Sequence, residues 1–163
     1  MTQLPVLTMP AGDITHPVPD LTGYITEGQI VLSAAVHAHG IYPPVDPLSS
    51  LSRLMRKGAG PGRTRADHLD LAAQLMAALA RARQSRELAE LVGAAALSAT
   101  DRQYLSFAEA FERRLIDQRA DEARTLEETL ERAWDVVSLL PRRELTMLAP
   151  EHLDAYYAPG DRP

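Results

Sequence analysis

Proline and glycine divide this chain into two unlike halves. Residues 1–65 hold most of both residue types, whereas residues 66–157 are almost free of them. Proline lacks a backbone N–H and glycine favours turns, so the first half should consist of short elements joined by loops. Alanine is abundant and there are only two Phe and one Trp, which favours helices packed through small side chains. The sequence therefore predicts a mainly α fold, in which a few strands and loops over residues 1–65 precede a helical bundle over residues 66–163.

The first half offers two candidate strands, Leu4–Thr8 and Gln29–Ser33. The segment Ala11–Tyr24 has the Pro and Gly content of a loop, and Leu48–Arg56 is predicted to form a short helix. Two strands do not form a stable sheet on their own. We therefore expect them either to pair with protein chain that is not in this sequence or to be poorly ordered, as in a piece of a larger protein.

The second half contains several helical segments with recognisable starts and stops. Apolar residues recur at helical spacing after two capping boxes, in the stripes Tyr104–Ala108–Phe111–Leu115 and Leu126–Leu130–Trp134–Val137. The predicted segments are Asp67–Arg83, Arg86–Val92 with a left-handed stop at Gly93, a helix after Ser98–Asp101, a helix after Thr125–Glu128 that ends at Pro141, and a last turn or two over Glu151–Tyr157.

Composition excludes several classes of function. The chain has no cysteine, so it has no disulfide, no thiolate metal site and no cysteine nucleophile. It shows no signal peptide and no apolar run near the roughly 20 residues that span a bilayer, so we expect no direct membrane insertion. The net charge of −5 argues against nucleic-acid binding, although one stretch without acids is basic: Arg53, Arg56, Lys57, Arg63 and Arg65.

Motifs for stand-alone chemistry are incomplete. The Gly-rich connection Lys57–Thr64 fails the spacing of a phosphate-binding loop. His37 and His39 would lie on one side of a strand, but no third ligand is near in sequence, so no metal site is predicted. The remaining histidines are scattered, and the acids of the last helices have the pattern of a solvated face with local ion pairs: Glu127, Glu128, Glu131 and Asp135.

The remaining constellation is Pro43–Asp46 followed by Ser50–Arg53. The prolines fix an extended segment, a serine can cap the next turn of the chain, and Arg53 projects from its start. Arginine is a planar, permanently charged fork of donors that suits phosphate oxygens. Residue chemistry alone leaves two interpretations open, a functional arginine and an ordinary surface arginine.

The same constellation resembles the signature of the rotary ATPase α/β family, Pro-Pro-Val-Asp, three residues, then Ser-x-Ser. In this chain it runs from Pro43-Pro44-Val45-Asp46 to Ser50-Leu51-Ser52. Further agreement is with the non-catalytic, regulatory B subunits of V/A-type (vacuolar/archaeal-type) ATPases and ATP synthases. It lies in residues 13–29, 40–44, 51–55, 64–68 and 107–112, and the resemblance covers roughly residues 2–157.

The resemblance implies a place in a larger assembly. Such B subunits have a β-barrel, a central α/β nucleotide-binding domain and a C-terminal bundle. Residues 1–65 would be the tail end of the central domain, and residues 66–163 the bundle. Three A and three B subunits alternate in the ring (A3B3) around a central-stalk shaft. The resemblance also implies ATP or ADP with Mg at the A–B interface, none of it bound by this chain alone, and a cytoplasmic location peripheral to the membrane.

The resemblance also implies roles for particular residues. Arg53 matches the arginine finger that the B subunit supplies in trans to the catalytic A subunit, and Tyr24 matches a position lining the same interface. Leu97, Ser98, Ala99, Thr100 and Asp101 match the loop that touches the shaft. Three departures leave Arg53 untouched: Ser49 in place of a usual Pro, few charged residues in Ser33–His39, and Pro61 in the Gly-rich loop. Ala94, Ala95 and Ala99, where relatives are often acidic, argue against a strongly electrostatic shaft contact.

Two functions are compatible with these expectations. The first is a regulatory part of a proton- or sodium-translocating ATPase or ATP synthase, not an enzyme on its own, that serves ATP synthesis and hydrogen ion transport in the complex. The alternative is a stand-alone truncated relative whose helices act as a protein-interaction module. In either case the chain alone should bind ATP very weakly, because nearly all phosphate ligands are missing.

Overall fold

Seven α-helices and one two-stranded sheet form the part of the chain that the computed structural model describes, residues 2–159. This confirms the mainly α fold class. The helices are α1 (Pro17–Ile25), α2 (Ala34–Ala38), α3 (Met55–Gly58), α4 (His68–Val92), α5 (Ala99–Ala110), α6 (Leu126–Val137) and α7 (Pro150–Tyr156). The strands are β1 (Gly28–Gln29) and β2 (Leu51–Ser52), and a π-helical segment, Phe111–Ile116, continues α5.

The core lies in the second half, where α4, α5 and α6 pack together. Its largest side chains, Leu71, Phe107 and Trp134, are almost fully removed from solvent. The first predicted stripe is buried along its whole length. The second stripe is buried except at Leu126, which is 45% exposed at the start of α6.

Both predicted capping motifs start helices. Thr125 Oγ1 accepts a hydrogen bond from the Glu128 amide (3.1 Å), and Glu128 Oε2 accepts one from the Thr125 amide (2.7 Å). Ser98 Oγ likewise accepts from the Asp101 amide (3.0 Å). The second half of that box differs, because Asp101 Oδ2 accepts from the Ser98 hydroxyl (2.6 Å) and not from its backbone.

Three predicted helix limits in the second half are wrong. A single helix, α4, replaces the two predicted over residues 67–92, because Ser85 faces inward and its hydroxyl donates to Asp101 Oδ1 (2.9 Å). Gly93 does end α4, but its φ of 84° is paired with a ψ of 149°, which is not left-handed helical. Helix α6 ends at Val137, before Pro141. The last predicted turn is confirmed as α7.

The first half differs more from its prediction. Within the described residues, Leu4–Thr8 pairs with no other strand and is exposed throughout. Ala11–Tyr24 is not a loop, because α1 occupies its second part. Pro17 and Pro19 fall in the first turn of α1, where an amide donor has no partner within the helix anyway. Prolines that suggested a loop thus start a helix.

The predicted strand Gln29–Ser33 is present only in part. Gly28 pairs with Ser52 and Gln29 with Leu51 in an antiparallel register, and Leu32 adds an isolated bridge to Val45. The predicted helix Leu48–Arg56 is wrong, because the segment holds β2 and only the start of α3.

The two halves are joined by a short docked segment. Ile41 is 1% exposed although it lies outside the bundle sequence. Beside it, Asp117 Oδ1 accepts from the Tyr42 amide (3.0 Å), and the Gln118 amide donates to the Tyr42 carbonyl (2.6 Å). These contacts fix the first half against the end of the π-helical segment. Nowhere in residues 2–159 is a helix both long and apolar enough to cross a membrane.

Candidate functional site

The turn that leads to Arg53, residues 46–53, is called here the arginine loop. It is fixed at its start by Asp46, whose Oδ1 accepts from the Leu48 amide (3.0 Å) and whose Oδ2 accepts from the Ser49 hydroxyl (2.6 Å). The Ser50 hydroxyl donates to the Asp46 carbonyl (2.7 Å) and accepts from the Val31 amide (2.9 Å). The sequence Asp-x-x-Ser-Ser therefore folds as a hydrogen-bonded turn tied to the strand beside it.

The short sheet connects this turn to Arg53, because β2 lies between them. A side chain at position 28 would bring its Cβ within 2.7 Å of the Leu51 carbonyl oxygen, so only glycine allows β1 to approach β2 this closely. One residue further on, the Arg53 amide donates to the Glu27 carbonyl (2.8 Å). The backbone of Arg53 is therefore held in place although its side chain is exposed.

The Arg53 guanidinium folds back onto the carbonyl end of α1. Nη1 donates to the Gly23 carbonyl (2.9 Å) and also to the Thr26 carbonyl. The carbonyl end of a helix is electronegative, so a cation is favoured there. In residues 2–159, both hydrogen bonds of the guanidinium start from Nη1 and none from Nε or Nη2. One edge of the fork thus stays available for a bidentate anion.

Tyr24 and Arg53 line one open cavity of about 260 Å³. The structure therefore brings the two residues together, and their role at a subunit interface stays a prediction. Tyr24 is 77% exposed. The other lining residues are Ile14, Thr15, Pro19, Asp20, Gly23, Gln29 and Leu51.

Sequence reasoning missed three polar members of this cavity, Thr15, Asp20 and Gln29. Asp20 lies one helical turn before Tyr24, a spacing that carries a signal only once the segment is assigned to a helix. Gln29 lies in the longest matching segment and donates from Nε2 to the Ser49 carbonyl (3.3 Å), so it links β1 to the arginine loop. The carboxylate of Asp20 disfavours an anion inside the cavity that it shares with Arg53.

The predicted shaft-contact residues lie elsewhere, at the far end of α4. Helix α4 has 25 residues, about 37 Å at 1.5 Å per residue. Residues 91–101, at its end, are called here the bundle tip. Leu97 and Asp101 are buried, Thr100 is half-buried, and Ser98 and Ala99 are exposed.

Asp101 is held in the bundle tip by neighbouring hydroxyls. The hydrogen bond from Ser98 keeps the pKa of Asp101 below its usual value, and Ser85 and the nearby Arg81 act in the same direction. Asp101, the acidic residue of the predicted shaft-contact loop, thus makes its contacts inside the bundle. The exposed side chains at the bundle tip are mainly apolar, with Leu91 85% and Val92 53% exposed.

His37 and His39 do not lie on one side of a strand, although the sequence suggested it. His37 lies in α2 and His39 caps the end of that helix, so they are not on a strand. His39 Nδ1 lies 3.5 Å from Glu112 Oε2. Over the described range 2–159, no three side chains of the metal-binding types lie close enough together to hold an ion.

The chain consists of a short sheet with its loops followed by a helical bundle, and a family model matches each of these two parts. Residues 57–157 match the family model of the C-terminal domain of V and A type ATP synthase. Residues 1–52 match the nucleotide-binding domain of the ATP synthase alpha/beta family. The chain belongs to the V and A type ATP synthase family, as the C-terminal region of the B subunit. The two matches meet at residues 53–56, whereas the division between residues 65 and 66 stays a prediction.

Individual relatives agree with this assignment. The A-type ATP synthase B subunits of Methanopyrus kandleri and Sulfurisphaera tokodaii are each 55% identical over 157 residues, 96% of this chain. The match spans 16% of the first relative and 34% of the second. The solved ATP synthase subunit NeqB from Nanoarcheaum equitans superposes with a TM-score of 0.76 at 45% identity. That superposition covers 84% of this chain and 34% of NeqB, so the chain spans at most about a third of these proteins.

Proposed function

We propose that this chain, as part of the B subunit in a rotary ATP synthase or ion-translocating ATPase, supplies Arg53 to a nucleotide on the neighbouring catalytic A subunit. The observation that carries the proposal is the placement of Arg53. Its backbone is fixed by the β1–β2 pair, while its guanidinium is exposed and keeps one donor edge available. A rigid base with a charged, solvent-facing fork suits an arginine that acts across a subunit interface.

A phosphate can replace the carbonyl groups that the guanidinium binds within the chain. The partners of the guanidinium in the chain are two carbonyl oxygens at the end of α1, which are neutral acceptors. Hydrogen bonds to charged acceptors are roughly twice as strong, so a γ-phosphate presented from outside competes well for Arg53. There the arginine stabilises charge on the transferring phosphoryl group, a contribution that changes rates by about 10³–10⁵.

The nucleotide and its Mg²⁺ would be held mainly by the neighbouring subunit. This chain contributes Arg53 and the exposed ring of Tyr24 to the interface, while Asp20 keeps anions out of the cavity behind them. Catalysis then belongs to the complex, in which three A and three B subunits alternate. In this proposal the chain lies in the soluble, cytoplasmic head of the enzyme, peripheral to the membrane.

The bundle tip would face the central-stalk shaft. Its exposed apolar side chains and the short turn Ala94–Ala96 favour a contact based on shape and apolar burial. Leu97 and Asp101 would support that contact from inside the bundle, and Ser98 and Ala99 would lie at its surface.

The experiment is Arg53→Ala in the assembled complex. We expect ATP hydrolysis to fall by about 10³-fold or more while the complex still assembles, as measured by turnover assays and size-exclusion chromatography. The matched control is Arg56→Ala, another exposed arginine, in α3, which should leave turnover near normal. Near-normal turnover in Arg53→Ala would contradict the proposal.

The alternative, a stand-alone helical interaction module, is favoured by one observation. Leu91 and Val92 present an apolar tip that another protein could cover. The genomic sequence upstream of Met1 separates the two functions. An open frame that encodes a phosphate loop supports the ATP synthase subunit, whereas a stop codon and a ribosome-binding site support the module.

A further inference from the structure

The Asp46 side chain connects the arginine loop to the bundle. Both of its carboxylate oxygens accept hydrogen bonds from within the loop, from the Leu48 amide and the Ser49 hydroxyl. Its Oδ2 also lies 3.6 Å from Nη2 of Arg83, in the middle of α4. The Asp46 side chain is 19% exposed, so these partners replace most of its water.

The space beneath the loop makes these contacts important. A cavity of about 320 Å³ separates α2 and the start of the loop from α4 and α5, and its apolar walls include Val36, Leu48, Leu79 and Phe111. Since close packing does not support this side of the loop, its hydrogen bonds have to set its position.

The position of the turn is passed on to Arg53 by backbone pairing. The Asp46 amide donates to the Val31 carbonyl (2.9 Å), and Ser50 accepts from the Val31 amide. Directly after Ser50, the β1–β2 pair and then the bond from the Arg53 amide to Glu27 continue the same ladder. A change at Asp46 therefore reaches the arginine through an unbroken series of hydrogen bonds.

We infer that Asp46 is a positioning residue for Arg53, holding the arginine loop in the conformation that fixes the Arg53 backbone where its guanidinium can reach the subunit interface. This inference rests on the proposed function of Arg53. The Asp46 side chain contacts Leu48, Ser49 and Arg83 within the chain, so it would act on a nucleotide only through the arginine.

Two substitutions at position 46 separate its hydrogen bonds from its charge. Asp46→Ala removes both acceptors and should lower turnover of the assembled complex by about 10²-fold, the effect of an arginine displaced by about 1 Å. The KM for ATP should change little, because the nucleotide is bound mainly by the neighbouring subunit. Asp46→Asn keeps an oxygen for the Leu48 amide and an NH₂ that can donate to Ser49, so it should restore most of the turnover.

A double-mutant cycle with Arg53→Ala tests whether Asp46 acts through the arginine. We expect Asp46→Ala to cost about 10²-fold with Arg53 present and nothing further in the Arg53→Ala complex. Asp135→Ala, an exposed aspartate on α6, is the control and should have no effect. An equal loss in both backgrounds, or no loss with Arg53 present, would overturn the inference. If Arg53→Ala itself keeps full turnover, the proposed function fails first, and the inference fails with it.

Amide hydrogen exchange on the chain alone provides a second test. In Asp46→Ala the amides of Leu48, Val31 and Arg53 should exchange faster, whereas the amides of α4 should keep their protection and show that the bundle is folded. Asp46→Asn should resemble the unmodified chain. Unchanged protection of the Arg53 amide in Asp46→Ala would overturn the inference even if turnover falls.

Discussion

Asp67 is a carboxylate that is fully buried where the two halves of the chain meet. It accepts from Nε and Nη2 of Arg65 (2.7 and 2.9 Å) and from Nε1 of Trp134 (2.6 Å). Burial alone would raise the pKa of Asp67, but the hydrogen bonds from Arg65 and Trp134 outweigh it and leave the pKa below its usual value. Arg65 also pairs with Glu131 and lies over the ring of Tyr156, 4.5 Å from its centre. Asp67 thus ties the segment before α4 to α6 directly, through Trp134, and to α7 through Arg65.

Asp67→Asn should lower the free energy of unfolding at pH 7 by about 2–3 kcal/mol, because a buried ion pair loses one charge while Arg65 keeps Glu131. A carboxyl whose pKa is lowered by folding stabilises the protein above its unfolded pKa of about 3.9, and this contribution is lost as the pH falls through the folded value. The difference from the unmodified chain should therefore shrink by pH 3. Urea unfolding followed by circular dichroism at the two pH values measures it.

The control for this substitution is Asp135→Asn, which changes an exposed carboxylate and should alter stability little at either pH. A difference of the same size at pH 3 and pH 7 would show that the charge of Asp67 is not the source of the stabilisation.

At the scale of elements, α6 depends on its start. The Thr125–Glu128 capping box satisfies two amides that have no partner within the helix, and Glu127 and Glu128 place negative charge at its positive end. Backbone and side-chain hydrogen bonds from Thr125 also hold the pKa of Glu128 below its usual value. The helix carries Trp134 and Val137 into the core, so a frayed start weakens the bundle as a whole.

Thr125→Ala should cost about 1 kcal/mol of unfolding free energy, measured by urea unfolding at pH 7. Ser106→Ala, an exposed hydroxyl inside α5, is the matched control and should leave stability unchanged or slightly higher, since alanine is the better helix former. Equal effects of the two substitutions would rule out a specific capping role.

Elements with local signals could be predicted, and elements set by tertiary partners could not. The start of α6 followed from Thr125 and Glu128 alone. The continuity of α4 through residues 84 and 85 did not, because the Ser85 hydroxyl bonds to Asp101, a tertiary partner that no local pattern indicates. In the first half, Pro17 and Pro19 have opposite meanings inside a loop and in the first turn of a helix, and only the fold decides between them.

The candidate site residues remain predictions. Residue chemistry alone left Arg53 open between a functional and a surface arginine, and the family resemblance singled out Arg53 and Tyr24. Their shared cavity, and the presence of Asp20 in it, depend on α1 lying against β2, which no spacing along the sequence indicates. The hydrogen bonds from Arg53 to the carbonyls at the end of α1 cannot be predicted from the sequence for the same reason.

At the scale of the whole molecule, the proposed function gives the chain only one half of a nucleotide site. Its net charge is −5, and Asp20 lies in the cavity beside Arg53. We therefore expect the chain alone to bind ATP with a Kd on the order of millimolar or weaker. Isothermal titration calorimetry with Mg-ATP measures this, and Arg53→Ala should leave the weak signal unchanged. A micromolar Kd would contradict this division of the site between two chains.

Trp134 gives the molecule a built-in optical reporter. It is the one tryptophan of the sequence, and its indole N–H donates to the carboxylate that pairs with Arg65. Its emission should therefore shift in wavelength and intensity whenever the contact of Arg65 and Asp67 with α6 loosens. Movement at the junction of the two halves can then be followed in real time by fluorescence, without attaching a dye.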